Sequence, residues 1–338
     1  MHSTGEQSIA RNAPGRLPGL GVVLLLLPLL RSASAEPIVL KVGISEPVNT
    51  VLAIWMADAA GFYEAAGIKL EIVNMNGGSR GAEELAAGRI DAMHVGLSSV
   101  IQLNRSGGDL RIVAALANVI RFTFFSGPGI KTAADLKGGA VGVSSFGSES
   151  DSTVTLALKR LGLGRDDVTL KEYGGSPKRL AAVKSGELKA TAVNEPFSSM
   201  AREQGFNVLF DLVPEQIPWL FTAIVVRRRT IADRRDELTR FIRATAEGNY
   251  LALTDANRAK AVLAKQANIT DPKILDIGYS DFKLLSPPNI EPSDQAAKNV
   301  LAQFPDVSHK VEDYVDSGIL AALRKDGVFT ALAQKYRP

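Results

Sequence analysis

Lys69-Leu70-Glu71-Ile72-Val73, then Gly77-Gly78-Ser79, then Leu85-Ala86-Ala87-Gly88-Arg89-Ile90-Asp91-Ala92 reads as strand, turn, helix, glycine stop and strand. The same order returns later in the chain. It runs Val168-Thr169-Leu170-Lys171-Glu172-Tyr173, Gly174-Gly175-Ser176, Leu180-Ala181-Ala182 and Gly186-Glu187-Leu188-Lys189-Ala190. Both closing strands lead into polar pairs, Ser98-Ser99 in the first copy and Asn194-Glu195 in the second. Two copies are too few for a solenoid, which stacks at least three. They suit two related lobes of an α/β protein.

Outward from the first copy, Ile38–Ile44 reads as the opening strand and about Thr50–Ala66 as a helix stopped by Gly67. Strands follow at Ile68–Met75, Ile90–Val95 and Leu110–Ala117, with a helix from the Gly-Gly-Ser turn through Ala87. Strands alternating with helices over short connections predict largely parallel sheets. Ser176-Pro177 predicts a helix start with serine as cap, and Ser148-Glu149-Ser150-Asp151 and Thr132-Ala133-Ala134-Asp135 carry capping-box spacing. After Phe221–Val226 the pattern is mostly helical to the end, a tail expected to pack on the first lobe.

The first residues carry a different signal. Arg11 and Arg16 precede an apolar run, Leu17 to Leu30, and Arg31-Ser32-Ala33-Ser34-Ala35 follows. A positive start, a short apolar core and an Ala-x-Ala end are the parts of a secretory signal peptide, predicting cleavage after Ala35. Pro18, Gly19, Gly21 and Pro28 interrupt the run, which is short for a bilayer span. With no cysteine in the chain, disulfides, thiolate metal sites and cysteine nucleophiles are excluded. Arg11, Arg16 and Arg31 leave with the signal against one acidic residue, Glu6. The 39 basic and 36 acidic residues therefore overstate the mature charge. A near-neutral chain with scattered charge predicts no nucleic-acid partner.

Four segments then resemble one family: Ala60-Gly61-Phe62-Tyr63-Glu64-Ala65-Ala66-Gly67-Ile68, Ala87-Gly88-Arg89-Ile90-Asp91-Ala92, Asp135-Leu136-Lys137-Gly138 before Val141-Gly142-Val143, and Asn194-Glu195-Pro196-Phe197. In order and spacing they resemble the nitrate/sulfonate/taurine family of ABC-transporter substrate-binding proteins, over roughly Ile38 to Tyr336. At Lys189 the family's second-lobe pattern usually has aspartate, as at Asp91 of the first lobe. The resemblance implies a type-2 periplasmic-binding-protein fold: two Rossmann-like lobes, two crossover strands near Phe122–Phe125 and Phe221–Val226, and the helical C-terminal tail. Lobe one would comprise residues 38–121 plus 223–338, and lobe two 122–222. It implies a periplasmic solute-binding protein of an ABC importer, not an enzyme. Such a protein is expected to be a monomer without cofactor that closes on a small anion or zwitterion and meets a permease.

Strand ends and helix starts converge on the crevice of such sheets, where unpaired N–H groups favour anions. That places Asn49, Thr50, Gly78, Ser79, Arg80, Ser98 and Ser99 of lobe one opposite Ser145, Ser148, Asn194 and Glu195 of lobe two. Glu195 suits an amine and Arg80 an acid, so a zwitterion would satisfy both. Gly77-Gly78-Ser79-Arg80-Gly81 also fits the G-x-S-x-G nucleophile elbow between strand and helix, which makes an exported serine hydrolase using Ser79 the competing reading. Its base would be His94 or His309. An enzyme like the pyrimidine synthases that make a thiamine precursor, on the same fold, is a further alternative, and so is a sensor for a membrane receptor. His94 reads as a half-buried hydrogen-bonded imidazole. Glu149 and Asp151 read as first-turn acids, Trp55 as core or pocket wall, and Arg227-Arg228-Arg229 with Arg234-Arg235 as a solvated face.

Overall fold

The chain divides into Met1–Ala35 and Glu36–Pro338. The computed structural model describes residues 36–337 together with Met1, His2, Gly5 and Gly15. The signal-peptide reading lies outside the described residues.

Ten strands form two five-stranded sheets. The first holds β1 (Ile38–Ile44), β2 (Ile68–Asn74), β3 (Ala92–Val95), β4 (Leu110–Val119) and β10 (Pro218–Arg227), in the order β2-β1-β3-β10-β4. The second holds β5 (Thr123–Ser126), β6 (Ala140–Val143), β7 (Thr169–Glu172), β8 (Ala190–Val193) and β9 (Asn207–Asp211), in the order β7-β6-β8-β5-β9. The two orders are one pattern. In each sheet three parallel strands meet one antiparallel strand, β10 or β5, followed by an edge strand. The repeated strand–Gly-Gly-Ser–helix–strand unit occupies the same place in both, as β2 to β3 and as β7 to β8. The chain passes to the second sheet between β4 and β5 and returns between β9 and β10.

Buried strands here lack alternation because helices cover both faces. Ile112 to Ala117 of β4 and Trp219 to Val226 of β10 are all buried. The tail helix Arg235–Thr254 packs on Leu52–Ala59 beneath the first sheet. There a Cβ at Gly248 would lie 2.4 Å from the Ala53 carbonyl, so glycine sets the helix spacing. Trp55 sits in that core, 2% exposed. A second core joins Met93, Ile112, Phe124, Val143, Trp219 and Phe221 across both sheets.

Some sequence expectations change. The helix expected over Thr50–Ala66 is a short turn, Asn49–Val51, then Leu52–Ala59 and Phe62–Ala65, broken where Gly61 takes φ 75°. Ser176 is the first helical residue, with Gly175 as the cap, because its hydroxyl is drawn to Glu46 instead of its own helix. Ser148 does cap its helix, accepting from the Asp151 N–H, and Thr132 with Asp135 forms a capping box. Lys189 replaces acceptor with donor: Asp91 accepts the Lys41 N–H, whereas Lys189 Nζ donates to the carbonyls of Asp135 and Lys137. Within the basic stretch, Arg228 pairs with Asp109, and Arg234 with Asp91 and Glu237.

Candidate functional site

The strand ends of both sheets open into one narrow cleft. Ser45 and Glu46 follow β1; His94 and Val95 end β3, with Gly96 after it. Ser144 follows β6, and Asn194 follows β8. Gly78, Ser148, Glu149 and Ser150 come from helix starts, Arg179 from the helix Ser176–Ser185, Phe122 from the passage between β4 and β5, and Phe221 and Thr222 from β10. The space left is about 50 Å³, room for only a few water molecules.

The walls are tied together across the cleft. Glu46, from the first sheet, accepts the Ser176 N–H and hydroxyl at 2.8 and 2.9 Å and faces Arg179 at 3.8 Å. Arg179 is 1% exposed and otherwise spent on its own sheet. Nε donates to the Gly174 carbonyl, Nη1 to Thr191 Oγ1 and the Ala192 carbonyl, and Nη2 to Ser176 Oγ. From the other side, Glu149 accepts the Ser98 N–H at 2.8 Å, the Ser98 hydroxyl at 3.0 Å and Trp219 Nε1–H at 2.8 Å. Burial pushes its carboxyl up to about 7, although those three donors pull it down.

His94 is buried, and desolvation lowers its pKa to about 4, so the ring is neutral at pH 7. Its Nε2 meets Thr50 Oγ1 at 3.1 Å, and its Nδ1 has no hydrogen-bond partner. Thr222 Oγ1, on the same walls, has none either. Ser144, Ser148 and Ser150 bond one another at 2.9 Å, and Phe122 and Phe221 meet edge to face at 5.3 Å.

The residues anticipated from the sequence separate into groups. Gly78, Ser148 and Asn194 line the cleft. Thr50 and Ser98 stand behind it, on His94 and Glu149. Ser99 is buried without a hydroxyl partner, close against Gly78. Asn49 turns to Asp281 and the Gly278 carbonyl, beside the buried Arg121–Asp281 ion pair. Glu195 lines a separate cavity of about 350 Å³ with Arg121, Asp281 and Ser198. Arg80 is exposed and lies with Ser145 along an outer groove. Four residues that matter here went unmarked as ligand contacts: Glu46, His94, Glu149 and Arg179. An acid after a strand end (Glu46) and an arginine in the first turn of the Gly-Gly-Ser helix (Arg179) were the available signals.

Ser79 Oγ donates to the Phe146 carbonyl at 2.9 Å, a bond from one side of the cleft to the other. Neither candidate base reaches it: His94 is held on Thr50, and His309 lies against the Phe304 carbonyl in the tail. A nucleophile elbow needs a base within hydrogen-bond reach. Ser79→Ala is therefore expected to change stability by about 1 kcal/mol or less, and the protein should take no label from a fluorophosphonate probe. Labelling that disappears in Ser79→Ala would restore the hydrolase reading. Among the described residues no group of histidine and acidic side chains is arranged to hold a metal ion.

No curated protein matches the sequence. A solved structure from Bordetella bronchiseptica RB50 superposes with TM-score 0.76 at 18% identity, covering 90% of this chain and 99% of its own. The alkanesulfonate-binding protein SsuA from Xanthomonas axonopodis pv. citri, bound to MOPS, gives 0.69 at 20%, covering 84% and 100%. The desulfurization enzyme DszB gives 0.62 at 17%, covering 86% and 99%. The architecture is thus the periplasmic-binding-protein fold, which carries both binding proteins and an enzyme. The model of the NMT1/THI5-like family matches residues 49–259, more than half of the chain and every strand but β1, and the chain belongs to the NMT1/THI5-like family.

Proposed function

We propose that this protein is the solute-binding component of an ABC importer, exported to the periplasm by residues 1–35 and released there as a monomer. The first sheet with the helical tail acts as one lobe and the second sheet, β5 to β9, as the other, the expected boundary at residue 222 moving back to the start of β10, and they close on a small molecule. The permease reads the closed form. The protein works as a binder, not as a catalyst, and needs no cofactor.

The observation that carries this reading is the cleft. Polar and aromatic groups from two matched sheets converge there, joined by Glu46–Ser176, Glu149–Ser98 and Ser79–Phe146, which open if the sheets part. Hinge closure around a ligand is what such a seam serves. The likeness to SsuA supports the transport role, and the tied-up Ser79 and His94 argue against hydrolysis.

A thermal-shift screen of the purified protein against sulfonates, carboxylates, amino acids and heterocycles tests it. A ligand at a thousand times its dissociation constant should add about 4 kcal/mol of stability. Failure of every compound, or recovery of the protein from the cytoplasm with residues 1–35 intact, would sink the reading.

A further inference from the structure

Two helix starts meet at one side chain. The helix Leu97–Arg105 presents the Ser98 N–H, and Glu149 stands in the first turn of its own helix, Glu149–Arg160. Such ends attract anions through unpaired N–H groups and the helix dipole. The carboxylate occupying them belongs to the protein. Glu149 takes the Ser98 N–H, the Ser98 hydroxyl and the Trp219 indole N–H, three donors that a free oxyanion would otherwise claim.

The backbone beside it is cut to fit. Gly96, the residue before Leu97–Arg105, has φ −87°, which any residue adopts, so glycine is not needed there for conformation. Space requires it. A Cβ would lie 2.2 Å from Glu149 Oε1 and 2.2 Å from the Phe221 carbonyl.

The cleft's one guanidinium does not compensate. Four of the five N–H donors of Arg179 are spent on Gly174, Thr191, Ala192 and Ser176, and the remaining side faces Glu46. The walls thus bring two carboxyl groups, one satisfied guanidinium, a neutral His94, unpartnered His94 Nδ1 and Thr222 Oγ1, and a pair of phenyl rings.

We infer that Glu149 supplies, from within the chain, the anion that the Ser98–Trp219 seat is built to hold. The cleft therefore takes an uncharged or cationic, hydrogen-bond-donating small molecule and rejects free oxyanions. This deepens the solute-binding reading and rests on it for the ligand, while the seat itself can be tested separately.

Calorimetry at pH 8 with sodium methanesulfonate and with benzamidinium chloride, on wild type, Glu149→Gln and Glu149→Ala, decides it. Wild type and Glu149→Gln, in which an amide still fills the seat, should both bind methanesulfonate more weakly than wild type binds benzamidinium. Glu149→Ala should bind it at least tenfold tighter than wild type and lose benzamidinium at least tenfold. Methanesulfonate binding wild type better than benzamidinium does, or no gain in a folded Glu149→Ala, overturns the inference. If Glu149→Ala does not fold, the wild-type preference alone still decides. A wild type that binds no solute in any screen, beside a Glu149→Ala that captures methanesulfonate, sinks the importer reading and leaves the seat assigned.

Discussion

Arg179→Met should lose about 3–5 kcal/mol of stability, the range found when one partner of a buried charged network is removed. Methionine fills much of the volume but none of the hydrogen bonds. The Gly174 and Ala192 carbonyls and the Thr191 and Ser176 hydroxyls each lose a donor, and the Glu46 carboxylate loses the positive charge it faces at 3.8 Å. Arg179→Lys should recover only part of the loss, because an ammonium is a point donor and cannot span carbonyls that a planar fork joins. Urea denaturation at pH 7.5 measures all three proteins. A methionine variant within about 1 kcal/mol of wild type would mean the guanidinium merely fills space.

The second large effect is one of pH. Glu149 has its carboxyl raised from 4.5 to about 7, with burial as the leading cause. A raised acid contributes stability that is complete below its unfolded value and lost as pH rises through the folded one. That loss runs from about pH 4.5 through 7. His94 works the other way: with its pKa lowered from 6.5 to about 4, its contribution is complete above 6.5 and lost as pH falls through 4. Between about 4.5 and 6.5 the two oppose each other, so the wild-type profile alone is a poor readout. Glu149→Gln removes only the first. Its stability relative to wild type should climb by up to roughly 3 kcal/mol between pH 4.5 and 8. Glu195 and Asp281, whose carboxyls are also raised by burial, are present in both proteins and cancel in the difference. A difference that stays flat with pH would show that Glu149 is hydrated in solution.

The sequence was most informative where the physics is local. Ile38–Ile44 is a strand at the residues where a short run of β-branched and apolar side chains puts it. The two Gly-Gly-Ser turns stand at corresponding points of two sheets with one strand order, because a strand–turn–helix unit is specified by neighbours a few residues away. The closing strands of both copies deliver Ser98 and Asn194 to the cleft region for the same reason. What stayed hidden depends on distance along the chain. Glu149 meets Ser98 from 51 residues away and Trp219 from 70, so its first-turn position disclosed a helix start and nothing of the seat it fills. Arg179 looks like one more surface residue of a short helix until Glu46, 133 positions earlier by residue number, is brought against that helix. Glu195 is adjacent in sequence to Asn194, yet one step along the backbone turns it into a different cavity.

The strand order of the first sheet also dictates an order of assembly. β10 lies between β3 and β4, which share no hydrogen bonds of their own. Residues 92–119 must therefore wait, with both facing edges unpaired, until residues 218–227 have been synthesised and brought back. The second sheet carries no such debt, since β5 to β9 are drawn from one uninterrupted segment. Its pairings all lie within residues 123–211 and should form first, while the first sheet closes last across the longer span from β3 and β4 to β10, where closure entropy adds to the search. Until then the growing chain holds one finished sheet and one split sheet with exposed edges, a state open to chaperones. Insertion of a single ten-residue strand ends that state.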